Sequence, residues 1–385
     1  MRRIGKAALG LAAALAIAGA AAAQDWRTDP THTESDGIAV SADGARVISA
    51  SMGHPGDELR VFDLGTGAGY LLKHPDKRIV LSDPAVSPDG TRLAFVVGRP
   101  GRTRASEIWI TDIDGGHPVR LGELGRAYRR PAFSPDGRRL AYFRDVDAPP
   151  AGDPREPLNG PNARAYALFE RDLDSGTEAR LAERRFRIPC GLAYRPQDDG
   201  FYYCALNPLL DAGLTADGLF EGDPDSLESM AYERRTGFAH VFFFRRGEPI
   251  SLWPEPYVPA GAWSPSLIGV DMAGRALIAA SEPQPFPIKG KVAYHFFAFG
   301  GEVAAKTDVV LDPENCSPFA EGGGVIVAET HCAERGADGR LGPKPSRLTV
   351  VRGGKVKYLP TESFRFEALP RVMAPPGDSI FVGHP

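Results

Sequence analysis

Long apolar runs, basic stretches and helical periodicity are all scarce in this sequence, and each shortage excludes something. After residue 23 no segment approaches the ~20 consecutive apolar residues that a membrane-spanning helix needs. Lys and Arg number 45 against 49 Asp and Glu, with no cationic run, which argues against nucleic acid or an anionic membrane surface as the main partner. Apolar residues at a sustained 3.6-residue period are missing, so little helix is expected. Also missing are G-x-S-x-G, H-E-x-x-H, S-x-x-K and a phosphate-cradling glycine loop, the local signatures of common hydrolytic and nucleotide chemistries. The eight histidines are scattered singly, none at metal-ligand spacing from another.

The first 23 residues carry a different signal. Arg2, Arg3 and Lys6 precede the apolar stretch from Leu9 to Ala18, and Ala21-Ala22-Ala23 stands before Gln24. Charge, short apolar core and small residues in that order form a secretory signal peptide, with cleavage expected near Ala23-Gln24. Residues 24–385 are then read as a single domain in the periplasm or outside the cell. Removing three positive charges and no acidic ones moves the formal balance from −4 to −7.

What the chain has in plenty is turn residues: 44 Gly and 35 Pro, spread throughout. That suits many short strands joined by tight turns. Ser41-Ala42-Asp43-Gly44, Ser87-Pro88-Asp89-Gly90 and Ser134-Pro135-Asp136-Gly137 repeat one pattern, their glycines 46 and 47 residues apart. Each follows a short apolar strand and precedes another, as in Ile38-Ala39-Val40 and Arg46-Val47-Ile48. Ser bonds locally, Pro presets φ and Gly accepts a left-handed exit, so the motif is a hairpin turn and its Ser and Asp are assigned no chemistry. An alternating strand, Glu107 to Thr111, follows one such hairpin, then a turn over Asp112 to Gly116 and a last strand over Pro118 to Leu121. Asp112-Ile113-Asp114 could suggest a calcium loop but lacks its later acidic ligands. Four antiparallel strands per ~45 residues, repeated, make a propeller blade.

Residues 83–122 (DPAVSPDGTRLAFVVGRPGRTRASEIWITDIDGGHPVRLG) resemble the WD40-like (PD40) repeat of TolB-type propellers. Residues 130–144 repeat its first half, 37–72 match more loosely, and beyond about residue 185 only turn spacing continues. The resemblance implies a radial β-propeller and a periplasmic, protein-binding life. The chain is expected to differ in having neither the N-terminal α/β domain of TolB nor the C-terminal hydrolase domain of prolyl oligopeptidases.

Gly44, Gly90, Gly137, Gly200, Gly274, Gly324 and Gly377 mark seven first-hairpin turns. The fold expected is all-β, with seven four-stranded antiparallel blades, or six if the last hairpin (Arg371 to Met373, then Ser379 to Val382) folds otherwise. The segment around Asp25 to Thr31 would supply a strand to the final blade and so close the ring through the two ends.

Four cysteines in an exported chain suggest two disulfides. Cys190 and Cys204 flank the turn at Pro196 to Gly200, and Cys316 and Cys332 flank Gly322 to Gly324, so each pair would bridge one hairpin. Free thiols or a metal site are the alternatives.

In this frame the loop from first to second strand is always short. The loop from second to third is long, at about Gly98 to Ser106, Val146 to Arg164, Asn207 to Phe238, Glu282 to Lys291 and Ala333 to Ser346. Equivalent loops leave a propeller on one face, so one face is plain and the other crowned, and long loops on a rigid scaffold are where binding resides. The longest carries Asp211, Asp217, Asp223 and Asp225, then Tyr232, Arg234 and Arg235, which are taken as candidate binding residues. The leading expectation is a monomeric scaffold that binds a protein or cell-envelope partner through its crown, with no catalytic residue and no cofactor. The alternative is a propeller hydrolase or lyase acting on a sugar or lactone with a divalent metal, for which His240, His295 and His331 are candidate ligands.

Overall fold

The computed structural model describes residues 37–50, 58–77, 79–98, 106–122, 126–146, 166–181, 185–209, 240–246, 251–252, 263–281, 292–299, 305–311, 319–330, 334–335, 341–342 and 347–374, all within one compact unit, Ser35–Pro385. The proposed leader and the segment around Asp25 to Thr31 lie outside them.

Alternating small, β-branched and aromatic residues between tight turns produce strands and almost nothing else. The first sheet runs in order β1 (Gly37–Val40), β2 (Arg46–Ala50), β3 (Glu58–Asp63) and β4 (Ala68–Lys73). The second is β5 (Val80–Val86), β6 (Arg92–Gly98), β7 (Ser106–Asp112) and β8 (Val119–Leu121). An eight-stranded sheet follows. It comprises one meander of β9 (Tyr128–Phe133), β10 (Arg139–Asp145), β11 (Tyr166–Asp172) and β12 (Glu178–Arg180), and a second of β13 (Arg185–Tyr194), β14 (Phe201–Leu209), β15 (His240–Phe244) and β16 (Ser251–Leu252). The two meanders merge through a single residue pair, Tyr166 opposite Phe186. Next come β17 (Trp263–Val270), β18 (Ala276–Ser281), β19 (Val292–Phe299) and β20 (Ala305–Leu311). The last sheet is β21 (Phe319–Gly322), β22 (Val325–Thr330), β25 (Arg347–Arg352) and β26 (Lys355–Pro360), with a small hairpin of β23 (Glu334–Arg335) and β24 (Leu341–Gly342) between its second and third strands. Pairing within every meander is antiparallel.

The innermost strands β1, β5, β9, β13, β17 and β21 pack in succession, and β21 returns to β1. The core is therefore a set of apolar slabs between neighbouring sheets. Leu59, Leu72, Leu93, Phe95 and Trp109 fill the first, and Val96, Tyr128, Leu140 and Tyr142 the second. Phe143, Leu168, Phe201 and Tyr203 lie between the two merged meanders. Val47, Phe62, Val325, Leu348 and Val350 close the last sheet onto the first. Each such fully buried side chain contributes ~1.5–3 kcal/mol in transfer free energy.

The described strands make five sheets of four or more strands, one of them two merged meanders, where seven blades, or six, were expected. Of the segment read as a seventh hairpin, the first strand, Arg371 to Met373, is described and runs along the first sheet; Ser379 to Val382 lies outside the described residues. After a single 3-10 turn at Thr361–Ser363, β27 (Arg365–Phe366) and β28 (Arg371–Val372) run parallel to β4 along the outer edge of the first sheet. The reason is apolar burial. Phe364 and Phe366 lie edge-on to Phe62, at ring-centroid separations of 5.0 and 5.5 Å, and Met373 is buried with Leu72. Gly377 lies outside the described residues.

Candidate binding face

The two ends of the strand ring are built differently, and the sequence shows why. At the plain end the first-hairpin turns close on themselves. In the second sheet Ser87 N–H donates to the Arg92 carbonyl at 2.9 Å, Gly90 N–H to the Ser87 carbonyl at 2.8 Å, and Arg92 N–H to Ser87 Oγ at 2.8 Å. Ser87 Oγ in turn donates to Asp89 Oδ1 at 2.5 Å. The same bonds recur at Ser41–Asp43 and Ser134–Asp136. All three serines are buried. The glycines have φ of 68°, 70° and 69°, a region that other residues enter only at a cost. The serine hydroxyl is the first cause that holds each of Asp43, Asp89 and Asp136 below the ordinary carboxylate range.

The arginine that opens each of β2, β6 and β10 then reaches the next turn. Arg46 Nη1 donates to the Gly90 carbonyl at 2.9 Å, Arg92 Nη2 to the Gly137 carbonyl, and Arg139 Nη2 to Asp199 Oδ1 beside Gly200. Gln197 Nε2 donates to the Met272 carbonyl at 2.9 Å, and Arg352 Nη2 to the Gly44 carbonyl at 3.3 Å. The plain end is thus stitched turn to turn. The loop over Asp112 to Gly116 is also a closed turn, with Asp112 Oδ2 held by His117 Nδ1 at 2.6 Å.

Toward the opposite, crown end, charged groups are buried on the strands. Glu58, which opens β3, pairs with Lys73 at 3.0 Å, and Arg60 lies 3.6 Å from the buried Glu329 across the junction of the first and last sheets. Asp145 is buried and accepts the Ala127 N–H at 2.9 Å. On the inner strands, Asp83 in the β5 bulge meets Arg130 in the β9 bulge, Nη1 to Oδ1 at 3.1 Å. Both have left-handed backbones, φ 48° and 50°, and both precede a proline. Such conformations in non-glycine residues cost of order 1–3 kcal/mol each and mark positions held by their surroundings. Buried carboxylates this well paired are costly to isolate, so these residues are fixed in place as a rigid base.

All six passages from second to third strand leave at this end, after Ala50, Gly98, Asp145, Leu209, Ser281 and Thr330. Asp211, Asp217, Asp223, Asp225, Tyr232, Arg234 and Arg235 lie on one of these passages, outside the described residues, as does His331. His240 opens β15, and His295 is fourth in β19, opposite Asp308. Cys204 is buried and disulfide-bonded. Cys190 occupies the β13 bulge between Pro189 and Gly191, whose strand partners are Ala205 and Cys204; Cys316 and Cys332 lie outside the described residues. Among the described residues no three His, Cys, Asp or Glu side chains are grouped to hold a metal ion, and no helix is long and apolar enough to cross a membrane.

Sequence reasoning missed the Asp83–Arg130 pair, although Asp83-Pro84 and Arg130-Pro131 stand at matching places in two repeats, a signal present in the alignment of the repeats themselves. It also missed Glu321 on β21. Burial raises its carboxyl to about 7, Gly324 N–H donates to its Oε1 at 2.9 Å, and a Cβ built on Gly269 of β17 would come within 3.0 Å of its Oε2.

A crystal structure of TolB from Acinetobacter baumannii superposes on 84% of this chain and 66% of its own, at 15% identity and a TM-score of 0.50. The fold is a TolB-like β-propeller. Among curated proteins, the Tol-Pal system protein TolB of Mannheimia succiniciproducens is 40% identical over 52 residues, covering 14% of this chain. The uncharacterized peptidase YuxL of Bacillus subtilis is 32% identical over 80 residues, covering 21% of it. Each of these matches spans only 12% of the relative's own length. No family model matches the propeller.

Proposed function

We propose that this propeller is a periplasmic scaffold that binds a protein or cell-envelope partner through its crown. The observation that carries this reading is the asymmetry of the two ends: closed, stitched turns on one, and on the other every long passage rising from a base of fixed, buried charge. The TolB proteins among its relatives, named for the Tol-Pal system, support a protein partner in the periplasm, reached after cleavage near Ala23-Gln24. The reading includes cystines Cys190–Cys204 and Cys316–Cys332, which would brace the meander beneath the longest loop and the last one, and a contact surface over Asp211, Asp217, Asp223, Asp225, Tyr232, Arg234 and Arg235.

A photoreactive residue placed at Tyr232 should form a discrete adduct with one envelope protein in intact cells. The same group at the exposed Met272 of the plain end should form none. Equal labelling from both ends, or an adduct that persists after Arg234 and Arg235 are both changed to Glu, would refute the crown as the binding face. The alternative, a metal-dependent hydrolase or lyase, is tested on the same preparation by elemental analysis. A divalent metal near one per chain would move the assignment to that chemistry.

A further inference from the structure

A sheet edge in water is a row of unpaired N–H and C=O groups, and proteins blunt such edges by shortening or covering them. This propeller does both. The outer strands β8 and β12 have three residues each and β16 has two. The edge of β4 is covered by β27 and β28, with Arg365 N–H donating to the Gly67 carbonyl at 2.8 Å, Glu367 N–H to Gly69 at 3.0 Å and Met373 N–H to Lys73 at 2.9 Å. An outer edge of this ring thus accepts an added extended segment, in parallel, from elsewhere in the chain.

The outer strand of the last sheet is treated differently. β26 pairs with β25 over six consecutive residues without a bulge, and among the described residues nothing pairs with its other edge. Lys355, Val356, Lys357 and Tyr358 are all exposed, so side chains on both faces of the strand meet solvent. Val356 is 37% and Tyr358 43% exposed, two of only five large apolar side chains so exposed among the described residues. The Arg347 guanidinium lies 4.7 Å from the Tyr358 ring centroid and Arg352 stands opposite Lys355. β26 therefore carries cations and no acidic residue in a chain whose net charge is −4. The other long outer strand, β20, mixes Lys306 with Asp308. Lysines alone are a common guard on an edge, but a guard does not require a β-branched residue and an aromatic, both strong strand formers, exposed beside them.

We propose that the outer edge of β26 is a strand-addition site for an acidic, extended segment of a partner protein. Main-chain bonds to the free edge would supply affinity, Val356 and Tyr358 would contact apolar side chains on one face, and Lys355 and Lys357 would select acidic ones on the other. The site is separate from the crown and does not depend on its function.

The test uses the mature chain and a fluorescent decapeptide of alternating Asp and Val, titrated by anisotropy at low salt. The peptide should bind saturably. The same peptide N-methylated at alternate residues on its pairing edge should lose at least about tenfold in affinity, because strand addition needs those donors. Lys355→Glu with Lys357→Glu should weaken the acidic peptide about tenfold and give measurable binding of the corresponding Lys-Val peptide, which shows that the variant is folded and the edge intact. Three results would overturn the proposal: no binding of the unmodified peptide, equal binding of the N-methylated one, or affinity unchanged by the double charge reversal.

Discussion

At the residue scale, the turn serines and Glu321 show how far local chemistry reaches. Ser41, Ser87 and Ser134 were legible because everything they bond lies within five residues, so the pattern S-x-D-G states its own structure. Glu321 was not legible, because what raises its carboxyl is burial against β17, a different sheet. Its folded value of about 7 against an ordinary 4.5 fixes the sign of its effect. Below pH 4.5 it is protonated in both states and costs nothing. Between 4.5 and 7 the unfolded chain ionises first, so stability falls as pH rises, and above 7 the full penalty is present. Glu321→Gln keeps the shape and removes the charge. It should stabilise the propeller by roughly 2–3 kcal/mol at pH 8 and by little at pH 4, the order set by the shift itself. Urea unfolding at the two pH values measures this. An equal effect at both would show that the carboxyl ionises normally.

Elements were legible where the hairpin pattern is strict and misread where long-range packing decides. Arg371-Val372-Met373-Ala374 followed by Pro375-Pro376-Gly377 has the local form of a strand and turn, which is why a seventh blade was expected there. The first sheet already draws four strands from one continuous stretch, and what remains attractive is its outer edge, where Gly69 leaves room for the Phe366 ring; a Cβ there would lie 3.0 Å from it. No local rule encodes that fit. Arg371 adds a cation–π contact over Tyr70 at 3.9 Å and an ion pair to Glu367. The segment is therefore held chiefly by three apolar anchors, Phe364, Phe366 and Met373. Phe364→Ala should cost about 3 kcal/mol and should make residues 361–374 the first site of limited proteolysis while the rest of the propeller resists. Simultaneous digestion of all sheets would mean that the strap and the ring unfold as one unit.

Across the whole molecule, no strand among the described residues is shared between the first and last sheets. The described residues join them by face packing of Val47, Phe62, Val325, Val327, Leu348 and Val350, by the Arg352 to Gly44 bond, by Arg60 and Glu329, and by the strap laid on β4. The N-terminal segment expected to close the ring lies outside the described residues; among those described, a slab of core at the junction makes the kind of connection that slabs make elsewhere in the ring. A ring of slabs depends on each junction, because opening one leaves two sheets with an uncovered apolar face. Leu348 is fully buried in the closing slab. Leu348→Ala removes three buried carbons and leaves a cavity, a loss of ~2–5 kcal/mol. If the junction is an ordinary part of one cooperative ring, that loss should appear as faster amide exchange at Tyr142 and Phe143, in a sheet that does not touch Leu348, and as a single shifted unfolding transition. If exchange accelerates only in β1 to β4 and β21 to β26, the junction is a separately opening gate, and the first and last sheets can part while the remainder of the propeller stays folded.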